Sequence, residues 1–81
     1  MAGFAKTEAE IAERVSRYLK AELKRADMTY GDLAGELAKH GLKGETTDSI
    51  KSKLARGTFA ATFLLATLAA MEMEGVKLED I

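Results

Sequence analysis

The sequence predicts an all-α domain of four or five helices. Proline is absent from the 81 residues, and the commonest residues are alanine, leucine, glutamate and lysine, which all favour helix. Apolar residues recur every three to four positions in successive segments, as in amphipathic helices. No segment alternates apolar and polar residues in the manner of a β-strand. The length suits one domain, which we place at residues 7–81 after a disordered N-terminus at 1–6.

The first helix is predicted at residues 7–26. Thr7 and Glu10 have the spacing of a capping box, in which each side chain bonds the other residue's backbone amide. One face carries apolar residues four positions apart, namely Ile11, Val15, Leu19 and Leu23. The basic residues beside this face alternate with Glu13 and Glu22, and we interpret them first as intrahelical ion pairs: Arg14, Arg17, Lys20 and Lys24.

The second and third helices are joined by a glycine-bearing turn. The second begins after Asp27 or Thr29 and ends at His40-Gly41, where glycine can adopt the left-handed conformation. Residues 42–45 form the turn. The third helix begins at Thr46 or Thr47 and ends at Gly57, with Ile50 and Leu54 facing the core.

The fourth helix is predicted from Thr58 to about Met73, with Gly75 breaking it and a short apolar tail behind. Apolar side chains surround most of its circumference, and such a helix must be covered on nearly all sides. We therefore expect a homodimer through helix four or the C-terminal tail.

The net charge is −1, but it is unevenly distributed. Residues 39–58 hold five basic and two acidic residues, a net charge of +3, whereas residues 59–81 carry −3. A near-neutral protein can still bind DNA through a local basic patch, because affinity follows the charge near the phosphates.

From Thr29 onward the chain resembles the Cro/C1-type, lambda-repressor-like helix-turn-helix family. The matching features are the following: Thr29, Leu33-Ala34, Leu37, an apolar Ile50 or Leu54, Ala55-Arg56-Gly57, and a long apolar helix after them. The chain is also similar to a group of small uncharacterised bacterial proteins that share its MTY-x-x-LA and RG-x-F landmarks. It differs from the repressor family in a longer turn and in Tyr30, which replaces the family's usual glutamine.

The resemblance implies that the third helix enters the major groove of double-stranded DNA while the second braces it. The base-contact candidates are Asp48, Ser49, Ser52 and Arg56. The phosphate-contact candidates are Thr29, Tyr30, Lys39, Lys43, Thr47, Lys51 and Lys53. Each has a plainer interpretation: a solvated helix face for the third helix, a helix cap for Thr29, solvation for Lys39 and Lys43, and packing on the first helix for Tyr30.

Other function classes lack support in the sequence. A single histidine, His40, without cysteine makes no zinc site, and no nucleophile–base pair or phosphate-binding glycine loop is present. We expect no enzyme, cofactor or metal. The longest uncharged stretch, 57–71, is too short to span a bilayer, so we expect no membrane partner. The lack of cysteine and of a secretory signal favours the cytoplasm.

The sequence therefore predicts a small sequence-specific DNA-binding protein, a dimeric transcriptional regulator. The alternative is a helical protein–protein interaction module that does not bind DNA. The longer turn, the missing glutamine and the weak net charge favour that alternative.

Overall fold

The computed structural model describes residues 4–81, which form four α-helices and a short C-terminal 3-10 helix, with no β-strand among them. The bounds are α1 Glu8–Arg25, α2 Tyr30–Lys39, α3 Thr47–Arg56, α4 Ala61–Ala70 and the 3-10 helix Leu78–Asp80. The predicted all-α fold is confirmed. Of the segment expected to be disordered, residues 1–3 lie outside the described residues, and residues 4–6 precede α1 outside any helix.

Threonines begin the first three helices. The hydroxyls of Thr7, Thr29 and Thr46 each accept a hydrogen bond from the backbone amide three residues later, at 3.0–3.1 Å. At Thr29 and Thr46 the bond is reciprocated, because Asp32 and Ser49 accept from the cap amides at 3.0 and 2.8 Å. These caps satisfy amides that have no partner inside the helix. Thr46, one of the two threonines considered, caps α3.

Three helices end in the same hydrogen-bonded turn. A residue with positive φ follows the cap, and the next amide bonds to the carbonyl five residues before it, as in a Schellman motif. The left-handed residues are Asp27 after α1, Gly41 after α2 and Glu72 after α4, with φ of 54°, 90° and 60°. The closing bonds are Met28 to Leu23, Leu42 to Leu37 and Met73 to Leu68, at 2.9–3.0 Å.

The predicted limits of the fourth helix were wrong at both ends. Helix α4 spans only Ala61–Ala70. Residues 58–60 lie outside the helix, with Ala60 extended, and Phe59 packs against Phe63 with their ring centroids 5.0 Å apart. At the other end, the left-handed Glu72 terminates the helix before Gly75 is reached.

The core lies where α3 meets α1 and α2, and α4 covers α2. Its fully buried side chains come from all four helices: Leu19, Leu33, Leu37, Ile50, Leu54, Phe63 and Thr67. Burying each leucine or isoleucine contributes about 1.5–3 kcal/mol. The predicted inward residues of α3, Ile50 and Leu54, are thereby confirmed. On the predicted apolar face of α1, Leu19 and Leu23 are buried, but Ile11 near the start of the helix is 41% exposed.

Helix α3 is held directly against the backbone of α1. Gly57 ends α3 with φ +72°, and a Cβ placed on it would lie 2.1 Å from the carbonyl oxygen of Ala12. Nearby, the buried Ser16 hydroxyl donates a hydrogen bond to the carbonyl oxygen of Leu54. These two contacts fix the rotation of α3, and hence which of its residues face outward.

Candidate nucleic-acid interface

The side of α3 opposite the core is open to solvent. Ile50 and Leu54 are fully buried, which turns the opposite side of the helix away from the protein. We call the exposed set the outer face of α3; it consists of Thr47, Asp48, Lys51, Ser52, Ala55 and Arg56. Five of the eleven predicted contact residues therefore share one exposed surface, with the short side chains of Ser52 and Ala55 between the two cations.

Arg56 lies along this outer face. Its Nη1 donates to Ser52 Oγ at 3.0 Å, and its Nη2 donates to the carbonyl oxygen of Thr58 at 3.4 Å. Both side chains are exposed, so the guanidinium can exchange these weak contacts for others. Two parallel N–H donors suit the two acceptors of a guanine edge.

Ser49 has a structural task that the sequence analysis did not assign. Its hydroxyl accepts from the Thr46 amide at 2.8 Å and lies 2.7 Å from Glu45 Oε1, to which it donates. The side chain is half-buried beside the turn. The structure does not place Ser49 on the outer face of α3.

Lys53 is directed toward the protein rather than toward solvent. Its ammonium lies 3.1 Å from the Glu45 carboxylate and 5.6 Å from the ring centroid of Phe63. The Lys53 and Glu45 side chains are only 25% and 14% exposed. Of Lys51 and Lys53, the two α3 lysines predicted to contact phosphates, only Lys51 lies on the outer face, and among residues 4–81 it has no ion-pair partner.

The starts of α2 and α3 lie side by side. The hydroxyls of Thr29 and Thr47 are 3.7 and 3.8 Å from the position that a Cβ on Gly31 would occupy. The positive ends of two helix dipoles therefore lie close together, which favours an anion nearby. Hydrogen bonds with Thr29 lower the pKa of the Asp32 carboxyl. The negative charge of Asp32 at neutral pH partly cancels the positive potential of the two helix starts.

The other predicted phosphate contacts, Tyr30, Lys39 and Lys43, lie outside the outer face of α3, and two of them already contact other residues. Tyr30 is half-buried and packs against the core. Lys39 pairs with Glu36 at 3.1 Å. Lys43 is exposed in the turn.

A family model described as a domain of unknown function (DUF6471) matches residues 3–76. The chain belongs to the DUF6471 family. No curated protein matches it, and no solved structure does. The family description names no activity, so the resemblance of this DUF6471 chain to Cro/C1-type proteins stays a prediction.

Two further observations describe the molecule as a whole. None of the helices formed by residues 4–81 has the length and apolar character needed to cross a membrane. Within the same residues, no three His, Cys, Asp or Glu side chains come together as a group that could hold a metal ion.

Two lysines of α1 lie outside the ion pairs predicted for that helix. Arg17 pairs with Glu13 at 3.3 Å as predicted, whereas Glu22 pairs with Arg25, which was not among the predicted residues, at 2.8 Å. Lys20 and Lys24 make no such pair in the described part of the chain. They lie instead beside the start of α2, a neighbourhood that only the tertiary fold creates.

Proposed function

We propose that this DUF6471 protein binds double-stranded DNA sequence-specifically and regulates transcription. The observation that carries the proposal is the outer face of α3, where small residues separate two cations and the core lies wholly on the other side. An α-helix with its side chains is about 10–12 Å wide, and the major groove is about 12 Å wide. Ser52 and Ala55 at the centre allow α3 to approach base edges closely.

The exposed residues take distinct roles in this proposal. Arg56 and Ser52 would contact bases, and Asp48 would accept a hydrogen bond from cytosine. Lys51 and the paired starts of α2 and α3, at Thr29 and Thr47, would hold phosphates and set the register. Binding of this kind weakens steeply with salt, since each neutralised phosphate releases counterions.

The test begins by selecting bound sequences from a random duplex pool and measuring affinity by fluorescence anisotropy across salt concentrations. Replacing Lys51 with alanine should lower the slope of log K against log salt by about 1. Arg56→Ala should cost about 1–3 kcal/mol and relax the preference at one base pair. Lys77→Ala removes an exposed charge in the C-terminal segment and serves as the control.

Two results would contradict the proposal. One is the absence of wild-type binding to any duplex at low salt. The other is a Lys51→Ala variant that behaves like Lys77→Ala.

A homodimer through α4 belongs to the same proposal. Helix α4 has no charged residue, and its exposed residues include Leu65, which is 64% exposed, flanked one turn away by Ala61 and Ala69. A second copy would cover this face and place two α3 helices on half-sites about one DNA turn apart. Light scattering should give twice the chain mass, and Leu65→Lys should give a monomer. A DNA-binding role would place the protein in the bacterial cytoplasm.

A protein-interaction module is the second candidate, favoured by a groove between α1 and the segment that joins α3 to α4. The groove measures about 260 Å³ and is lined mostly by apolar side chains, among them Val15, Phe59, Leu64 and Ile11, which is 41% exposed. A monomer that binds no duplex at low salt would favour this candidate.

A further inference from the structure

One flank of α1 carries two lysines that face neither the core nor a carboxylate partner. Lys20 and Lys24 are one helical turn apart, about 6 Å along the axis, and both are exposed. They follow Ser16, which binds α3 through the Leu54 carbonyl. The flank is therefore the side of α1 nearest the other helices that carry predicted DNA contacts.

Two grooves meet at Lys20. The first, of about 570 Å³, lies between α1 and the end of α3, and its lining includes Ser16, Lys20, Ala55 and Arg56. The second, of about 390 Å³, lies between α1 and the start of α2. Its lining is the following: Lys20, Leu23, Lys24, Asp27, Met28, Thr29 and Tyr30. Lys20 therefore lies between the outer face of α3 and the capped start of α2, and Lys24 lies beside that start.

The charges along this flank favour an anion that is extended rather than compact. Arg17 in the first groove is already paired with Glu13. In the second groove Asp27 is the only acidic residue in the lining, and it opposes the two ammonium groups. A lysine ammonium is a point charge that binds phosphate without distinguishing bases.

We infer that Lys20 and Lys24 bind phosphates of a DNA strand that runs along this flank of α1 while α3 lies in the adjacent groove. The inference rests on the proposed function and deepens it, because it adds a second helix to the DNA contact surface. It also predicts that this helix contributes affinity and salt dependence but no sequence preference.

The experiment compares charge changes of opposite sign on the full chain, using the duplex selected for the wild type. Lys20→Gln/Lys24→Gln should lower the slope of log K against log salt by about 1.8, since each lost phosphate contact removes about 0.9. The affinity ratio between the selected duplex and a scrambled one should not change. The double arginine variant, Lys20→Arg/Lys24→Arg, should keep the wild-type slope.

Asp27→Asn changes the charge of the same groove in the opposite direction, because it removes a negative charge. Asparagine tolerates the left-handed conformation that Asp27 adopts, so the variant keeps the fold while removing the opposing charge. It should tighten binding to selected and scrambled duplexes alike. Lys77→Gln is the matched control for the loss of a distant positive charge and should leave the slope unchanged.

The outcomes distinguish the inference about Lys20 and Lys24 from the proposed function. If the wild type binds with a steep salt dependence but Lys20→Gln/Lys24→Gln has the same slope as the wild type, the inference is overturned and the proposed function stands. If the double variant loses sequence preference along with affinity, the lysines are not backbone contacts and the inference also fails. If the wild type binds no duplex, both fail.

Discussion

The contact between Gly57 and α1 makes the strongest prediction about stability. Gly57→Ala introduces a Cβ at φ +72°, where an L-residue costs roughly 1–2 kcal/mol. The same Cβ would lie 2.1 Å from the Ala12 carbonyl oxygen, a backbone atom that cannot rotate away. Helices α1 and α3 would have to separate, exposing part of Leu19 and Leu54, whose burial contributes about 1.5–3 kcal/mol each.

If about half of that burial is lost, the total loss should be about 2.5–5 kcal/mol. This is a large share of the roughly 5–15 kcal/mol by which a native domain is stable. Gly41→Ala is the matched control, because Gly41 also has a positive φ, +90°, but nothing lies within 4 Å of the added Cβ. That variant should lose only about 1–2 kcal/mol. Urea unfolding followed by circular dichroism measures both values. If Gly57→Ala is destabilised no more than Gly41→Ala, the close approach of α1 and α3 is wrong.

Three further predictions concern individual polar side chains. Thr67→Val should raise the free energy of unfolding by about 1 kcal/mol, because the buried Thr67 hydroxyl has no hydrogen-bond partner among the described residues. Glu45→Ala should cost about 1–2 kcal/mol by leaving the half-buried Lys53 unpaired, whereas Glu36→Ala at an exposed pair should cost under about 0.5. Asp32→Ala should destabilise the protein at pH 7, and its difference from wild type should shrink below the ordinary pKa of 3.8.

The sign of the Asp32 effect follows from the direction of its shift. A carboxyl whose pKa is lowered in the folded state stabilises that state while ionised, and the contribution disappears as the pH falls through the folded-state pKa. Thermal unfolding of the wild type and of Asp32→Ala between about pH 7 and 2.5 measures how their difference in stability depends on pH. A constant difference over that range would contradict the capping box as the cause. A destabilised Thr67→Val, or equal losses for Glu45→Ala and Glu36→Ala, would contradict the other two predictions.

Local features of the fold were predictable from the sequence because their causes are local. A threonine before a helix bonds an amide three residues away, so the caps at Thr7 and Thr29 could be located without tertiary information. Four-residue spacing identified the buried faces, such as Ile50 and Leu54. The end of α4 was misplaced because Glu72, a residue that seldom adopts positive φ, closes the helix before the glycine does.

The candidate site depended more on tertiary contacts. Lys53 was predicted to contact a phosphate, but its partners are Glu45, eight residues earlier, and Phe63 on another helix. Lys20 was interpreted within its own helix, and its position between two grooves depends on how α1 packs against α3 and where the chain then begins α2. Neither arrangement has a signal in the spacing of residues along the chain.

The most direct test of the account is an NMR titration of the isotope-labelled protein with its selected duplex. Entry of α3 into the groove predicts the largest amide shifts at Thr47, Ser52 and Arg56, with the neighbouring Gly31 also affected. Large shifts confined to α4, around Leu65 and Ala69, with an unperturbed α3, would contradict it.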